Sequence, residues 1–385
     1  RPGLSIALAA GFAALYAGLA SAIALDRAAG SRPELARFVP RFAQQEARLV
    51  VSRQLTQAGR PEQALHLAES VVKRDPLSPH ATGLLGTARL GRGDIMGATA
   101  AFRVSAKLGW RDAATQVFWF DQAVRAENFE LAGARFSAVA RQWPNAPAID
   151  GLSARLASDP RGLHVLARDI ASGVNWATAF ARPRAYQSTE RLAGRARVLI
   201  AAGALGGKLG CDAVAALVGT LTRPSPQLAG ELWARQCARA APPGELANGG
   251  FESPHPPAPS TAFDWQFPGN GALVSTIVDF ADGKALRVSS NNPRMLPIAV
   301  QLVILPSRRY QISWLESGNK PSRIAASLSC KPDQELTNLQ DGAGSTGRRS
   351  VSIQAPAECS AALLELWLKP GAGEVTVDNV SIDPL

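Results

Sequence analysis

Four cysteines and four histidines in 385 residues leave little material for metal or nucleophile chemistry. The histidines are His66, His80, His164 and His255, and none stands in an HExxH spacing. The cysteines, Cys211, Cys237, Cys330 and Cys359, form neither a CxxC pair nor a zinc-ligand spacing. No Gly-x-Ser-x-Gly elbow is present. The stretch "GALGGKLG" has a Gly-Lys pair, but Leu209 follows Lys208 where a phosphate-binding loop needs Ser or Thr. Blocks of consecutive like charge are absent too. No nucleic-acid motif occurs. The carboxylates of the last third scatter over strand ends and turns, and nothing pairs them as a glycosidase needs. The expectation is a protein without catalytic residues.

What charge there is lies unevenly. The formal net charge is +10, yet from Ala247 onward 11 Lys/Arg meet 13 Asp/Glu, so the positive excess belongs to the part before it. A basic surface could take an anionic glycan, lipid headgroups or nucleic acid. An Arg-rich composition spread over solvated helix faces is the plainer reading, and it is preferred because the charges are dispersed.

Residues 3–25, "GLSIALAAGFAALYAGLASAIAL", are 23 residues without a charge. At about 1.5 Å per residue they cross a hydrocarbon core of about 30 Å. A cleavable signal peptide cut at "ASA", residues 20–22, is the alternative, but its apolar region runs only about 7–15 residues. A retained single-pass anchor is expected, with further residues upstream of Arg1. Both readings put the remainder outside the cytoplasm. In an oxidising compartment the cysteines are expected to pair as Cys211–Cys237 and Cys330–Cys359, against the alternative of buried free thiols.

Between Glu46 and Ala146 the chain repeats every 34 residues. The segments "EQALHLAESVVKRDP", "MGATAAFRVSAKLGW" and "ELAGARFSAVARQWP" align. Ala64, Ala98 and Ala132 share one position; Ala68, Phe102 and Phe136 fall four residues on. Gly59, Gly93 and Glu127 occupy the turn, and Pro76, Trp110 and Pro144 close each unit. A small residue lets two helices approach, a larger one a turn later fills the gap to the neighbour, and proline ends the unit. This pattern resembles the tetratricopeptide repeat family over units 45–78, 79–112 and 113–146. The family's first-helix aromatics are missing from the first two units. In the third, Phe118, Trp119 and Phe120 come closer and read mainly as packing between helices. Further helical segments follow out of register to about residue 240.

Then "APPGELANGGFESPHPPAPS" breaks the pattern with six prolines and three glycines. Eight segments of mostly alternating character follow: "GALVSTIVDF", "KALRVSS", "PIAVQLVIL", "RYQISWLES", "SRIAASLSC", "RSVSIQA", "SAALLELWLK" and "GEVTVDNVSI". So many short strands in one stretch imply a β-sandwich. In "YQISWLES", Tyr310, Ile312 and Trp314 share a face that reads as core. In "LLELWLK", Glu365 and Trp367 share the face opposite the leucines Leu364, Leu366 and Leu368.

"NGGFES" and "VTVDNVSI" resemble the opening and closing segments of jelly-roll carbohydrate-binding modules, and they frame residues 248–382. The resemblance implies a structural calcium held with help from Glu252 and Asp378; the alternative is that Phe251 plugs the core while the two carboxylates make ordinary hydrogen bonds. It implies sugar binding as well. Flat aromatic faces are then wanted, and the candidates are Trp265, in "FDWQF", and Trp367; for each, the alternative is a ring packed in the core. Arg308, Arg309 and Arg323 could meet an acidic sugar, although plain surface solvation is the preferred reading. The whole chain is also similar in organisation to bacterial tetratricopeptide proteins associated with exopolysaccharide or O-antigen clusters.

The expected fold is multidomain α and β: an N-terminal transmembrane helix, a tetratricopeptide-like α-solenoid and a C-terminal β-sandwich of jelly-roll type. Expected boundaries are an anchor at 1–26, a linker or first helix at 27–44, repeats at 45–146, a diverged helical continuation at 147–240, a linker at 241–247 and the sandwich at 248–385. The resemblance implies a non-catalytic periplasmic scaffold, single-pass in the bacterial inner membrane. Its repeats would bind a protein partner of a polysaccharide assembly or export machine, and its sandwich a polysaccharide. Nucleic acid is not an expected partner, and calcium is the one cofactor considered. The rivals are a purely structural assembly factor and, further off, a polysaccharide-active enzyme.

Overall fold

The computed structural model describes residues 2–253, 258–269, 271–281, 283–306, 309–318, 323–330, 340–341, 347–355 and 359–385. Arg308 and His255 therefore lie outside the described residues. Contacts divide the chain into two compact units, Arg1–Ile149 and Asp150–Leu385.

The first unit opens with helix α1, Pro2–Ser31. Over Ala10–Ser31 it is long and apolar enough to cross a membrane, a test that a signal sequence also passes. Phe12, Leu15, Tyr16, Leu19 and Ile23 stand exposed along it. Its last turns are different. Asp26 is buried and accepts backbone N–H bonds from Gln45 (3.1 Å), Glu46 (3.0 Å) and Ala47 (2.9 Å). Those donors are the orphan amides at the start of helix α2, Glu46–Gln57, so the end of α1 caps α2. A short 3-10 helix, Pro33–Phe38, lies between them. Ala29, Ala36, Val39, Ala47 and Val50 share a small apolar cluster at this joint.

Three helix pairs follow: α2 with α3 (Pro61–Arg74), α4 (Pro79–Gly91) with α5 (Ile95–Leu108), and α6 (Ala113–Arg125) with α7 (Phe129–Gln142). Each pair turns over three residues. Side-chain caps start four of these helices: Ser78 for α4, Asp94 for α5, Asp112 for α6 and Asn128 for α7. The equivalent turn positions share a backbone shape. Gly59, Gly93 and Glu127 all have positive φ, at 69°, 83° and 53°. The small-residue position is equally consistent, since Ala64, Ala98 and Ala132 are fully buried. Phe102 and Phe118 stack at 4.4 Å between centroids, and Trp119 donates to the Phe102 carbonyl, so these aromatics pack helix against helix.

Helix α8, Ala148–Ala157, runs across the division at Asp150. The second unit continues with α9 (Pro160–Ala171), α10 (Ala177–Ala181), α11 (Thr189–Ala204), α12 (Cys211–Leu221) and α13 (Pro226–Gln236). A buried ion pair, Arg195 to Asp150, ties α11 to α8. A disulfide joins Cys211 to Cys237 at the end of α13. The sandwich does not hang free of these helices. A Cβ added at Gly230 of α13 would come within 2.6 Å of Ile304 and 3.2 Å of Phe263, so glycine is what lets the helix seat on the β region.

Two antiparallel sheets then face each other. One has the order β1-β2-β9-β4-β7, made of Val274–Phe280, Gly283–Ser289, Glu374–Pro384, Arg309–Gly318 and Arg348–Gln354. The other has the order β3-β8-β5-β6, made of Leu296–Ile304, Ala361–Leu368, Ile324–Cys330 and Gln340–Asp341. One apolar core joins them: Tyr310, Ile312 and Trp314 of β4 meet Leu364 and Leu366 of β8 and Ile324 and Leu328 of β5. Each of the eight predicted segments contains a strand; among the described residues there is a ninth, β6, which has only two residues and no alternation to reveal it. The second disulfide, Cys330–Cys359, connects the end of β5 to the start of β8.

Candidate functional site

Period-two alternation on β8 sends Leu364, Leu366 and Leu368 into the core and leaves Leu363, Glu365 and Trp367 half-buried on the other face. Strand β5 lies alongside in register, with Ser327 opposite Glu365 and Ser329 opposite Leu363. The outer face therefore carries a connected polar row. Trp367 Nε1 donates to Ser327 Oγ at 3.0 Å. Ser327 and Ser329 each donate to Glu365 Oε2, both at 3.2 Å. Each serine has one proton to give, so Ser327 spends its proton on the carboxylate and its lone pair on the indole. Among the described residues no donor reaches Glu365 Oε1. A flat, half-exposed ring beside a fixed carboxylate oxygen suits a hydroxyl-rich ligand with an apolar face.

Trp265 is placed differently, in the core, which was the alternative to a sugar platform. It is 3% exposed, its Nε1 donates to the Asn248 carbonyl at 3.1 Å, and its ring lies 5.4 Å from that of Phe251. A ring enclosed in the core has no face to offer a sugar. Arg323 is likewise committed: its guanidinium donates to the carbonyls of Gly371 (2.6 Å), Gly373 (2.8 Å) and Lys369 (2.9 Å), which shape the β8–β9 turn. It is buried, so an acidic sugar would not reach it. Arg309 is exposed.

A second cluster forms where the opening and closing segments meet. Val380 N donates to the Gly249 carbonyl at 2.9 Å, and Phe251 is fully buried beneath them. Three side-chain oxygens lie near Gly250. A Cβ built there would find Glu252 Oε1 at 3.4 Å, Asn379 Oδ1 at 3.6 Å and Asp378 Oδ1 at 3.8 Å. Burial raises the Asp378 pKa above the usual aspartate value, and the nearby Glu252 charge raises it further, against a lowering bond from the Asn379 amide. Asn248, Phe251 and Asn379 all have positive φ, at 55°, 55° and 47°, so the backbone around the cluster sits in an uncommon conformation for residues other than glycine. Three hard oxygens converging on one small space fit the start of a calcium shell of six to eight. No group of three or more His, Cys, Asp or Glu residues gathers as a metal site among the described residues. The third oxygen belongs to an amide, and the resemblance that named Glu252 and Asp378 did not include Asn379.

Two further polar clusters lie in the helices. His80 Nδ1 meets Asp112 Oδ1 at 3.3 Å, while Thr115 donates to Asp112 Oδ2 through Oγ1 and N at 2.6 and 2.8 Å. The Asp112 bond raises the His80 pKa above its ordinary value despite a counteracting burial effect. The Thr115 hydroxyl bonds to the aspartate and not to the imidazole, so this is a capped helix start and not a nucleophile–base pair. In the second unit, a cleft of about 380 Å³ between α8 and α11 is bordered by Asp150, Phe180 and Arg195. Arg195 donates to Asp150 and to the Phe180 carbonyl, and burial lowers its pKa to about 10, so it stays charged at neutral pH.

No protein-family model matches the chain, and no curated protein matches it by sequence. Among solved structures, neighbours of the C-terminal region include jelly-roll carbohydrate-binding modules. The chain is similar to TmCBM61, solved in complex with beta-1,4-galactotriose, at 15% identity and a TM-score of 0.28, over 38% of this chain and 100% of that one. It is similar to the family 11 carbohydrate-binding module of a cellulosomal cellulase of Clostridium thermocellum, at 14% identity and a TM-score of 0.25, over 38% and 97%. It is similar, too, to the enzymatically active domain of the Bacteriophage CBA120 tailspike protein 4, at 14% identity and a TM-score of 0.29. That match covers 36% of this chain and 21% of the other, so the chain spans about a fifth of the tailspike domain. Likeness at this level is one of outline, and the case for a ligand stands on the side chains themselves.

Proposed function

We propose that this chain is a non-catalytic accessory protein, anchored by α1 in the bacterial inner membrane and facing the periplasm, that serves the assembly or export of a surface polysaccharide. The observation that carries the proposal is the Trp367–Ser327–Glu365 row on the outer face of the four-stranded sheet. A sugar ring would stack on Trp367, and one of its hydroxyls would donate to Glu365 Oε1. The tetratricopeptide-like helix pairs would hold a protein partner of the same machine. A calcium ion would sit among Glu252, Asp378 and Asn379, where it would offset the two converging carboxylates and fasten the domain's ends.

Affinity electrophoresis of the detergent-solubilised full chain through gels containing candidate exopolysaccharides or O-antigens tests the sugar part. Retardation by at least one acidic or neutral polysaccharide, lost in Trp367→Ala and weakened in Glu365→Gln, is expected. Migration unchanged by every polysaccharide would overturn it.

One observation favours a second reading, a purely structural assembly role: Trp367 Nε1 and Glu365 Oε2 already share Ser327 as a partner. Under that reading Trp367→Ala would leave polysaccharide output unchanged while partner pull-down persists.

A further inference from the structure

The residues just after α1 do not lead away from it. The 3-10 helix Pro33–Phe38 and the turns behind it fold back, so that Val39 packs with Ala29 of α1, joined by Leu25, Leu35 and Ala43 at the edge of the cluster. Phe42 and Ala43 border the same cleft of about 480 Å³ as Ile23 and Asp26. Ile23 belongs to the uncharged run, so this returning segment sits level with the end of the apolar stretch. Its surface is unusual for a segment facing water. Phe38 is 59% exposed and Phe42 is 68% exposed. Arg27, Arg32, Arg37 and Arg41 are all exposed around them, with Glu34 the one exposed acid between Arg27 and Arg41. The Arg37 guanidinium stands 4.6 Å from the centre of the Phe38 ring, so charge and aromatic face share one small patch.

Resting on the reading of α1 as a retained anchor, we infer that residues 33–44 form a second membrane contact, lying in the headgroup layer of the leaflet that α1 leaves. Phe38 and Phe42 enter the boundary between headgroups and acyl chains, and Arg37 and Arg41 meet lipid phosphates. Aromatic and basic side chains beside the end of a span are what an interfacial segment needs, and anionic lipid strengthens the contact. The occupant is the bilayer because the patch is continuous with the inserted helix and its charge complements phosphate. Asp26 does not oppose this, since its carboxylate is spent on three backbone amides of α2.

All four native cysteines are in disulfides, so one introduced cysteine is the sole thiol for a fluorescent probe. Leu15→Cys, Phe38→Cys, Phe42→Cys and Met96→Cys are labelled separately in the full chain. Each is reconstituted in vesicles of phosphatidylcholine, with and without phosphatidylglycerol, carrying bromine either near the headgroup or deep in the acyl chain. The expected result is deep quenching at 15, shallow quenching at 38 and 42 that strengthens with phosphatidylglycerol, and none at 96. Adding Arg37→Gln and Arg41→Gln should remove most of the phosphatidylglycerol effect. Quenching at 15 with none at 38 and 42 overturns the inference and leaves the anchor intact; no quenching at 15 overturns the anchor reading and the inference with it. Quenching at 96 equal to that at 42 also overturns it, as does shielding of 38 and 42 that follows protein concentration instead of lipid, which would assign the patch to a second copy of the chain.

Discussion

Glu127 stands in the turn position that Gly93 occupies one repeat earlier, and both have positive φ, 53° and 83°. The turn demands a left-handed residue whichever side chain is there. A non-glycine residue there costs roughly 1–2 kcal/mol, partly offset because glycine loses more entropy on folding. Glu127→Gly should therefore stabilise the protein by about 0.5 kcal/mol, and Gly93→Glu should cost about 1 kcal/mol. Urea melts of both variants decide it; the reverse order of midpoints would be incompatible with the turn geometry.

Trp265 and Trp367 should separate stability from binding. Trp265→Ala empties a core site and should cost about 3–5 kcal/mol. Trp367→Ala, half-exposed, should cost far less and yet abolish polysaccharide retardation. Thermal melts run beside affinity gels read both effects; equal destabilisation by the two substitutions would count against the outer-face assignment.

Asp378 gives a pH dependence with a definite sign. Its folded pKa is raised, so its effect is absent below the unfolded value and becomes destabilising as pH climbs through the folded value. Calcium should cancel that cost. The rise in melting temperature on adding calcium should be larger at pH 7 than at pH 4, and Asp378→Asn should shrink the difference. Isothermal titration with calcium alone is the direct check, and no heat at pH 7 would remove the ion from the site.

His80 has the same sign over a higher pH window. Its folded pKa is raised by Asp112, so the pair's contribution is complete below about pH 6.5 and is lost as pH rises through the folded value. Glu46 acts in the same direction and Arg53 against it. Tracking the denaturation midpoint between pH 5.5 and 8.5 should show a decline that His80→Gln flattens; an identical slope in the variant would place the titration elsewhere.

The Cys211–Cys237 bridge closes a loop with a sequence separation of 26. Replacing both cysteines with alanine should lower stability by about 3 kcal/mol. Alkylation without reductant followed by intact-mass measurement should add no adduct to the native protein, and four adducts would rule both bridges out.

Much of the β region was legible because alternation is a local signal. The leucines of β8 and the Tyr310–Ile312–Trp314 face announced which side was core. Trp265 was not legible, since its segment forms only a single bridge, Gln266 with Val300, and has no period to read. Glu365 gains its meaning from Ser327 and Ser329, 38 and 36 residues earlier, through a register that no spacing in the sequence encodes. The seating of α13 on β3 through Gly230 was equally invisible, because a lone glycine in a helix gives no hint of what approaches it. The proline-rich break between them did show, as a change of element type. In the repeats the small positions were readable from the 34-residue period, while the capping of α2 by Asp26 was not.

The bond from Val380 to Gly249 places the entry and exit of the β region side by side. A folded piece whose two ends nearly touch makes a small demand on whatever chain carries it. Spliced into a surface loop of another protein, it would bridge a short gap and add little closure entropy to its host. In that respect the two bookends close the region on itself, with a backbone hydrogen bond as clasp, while Gly230 of α13 remains the seat it would leave behind.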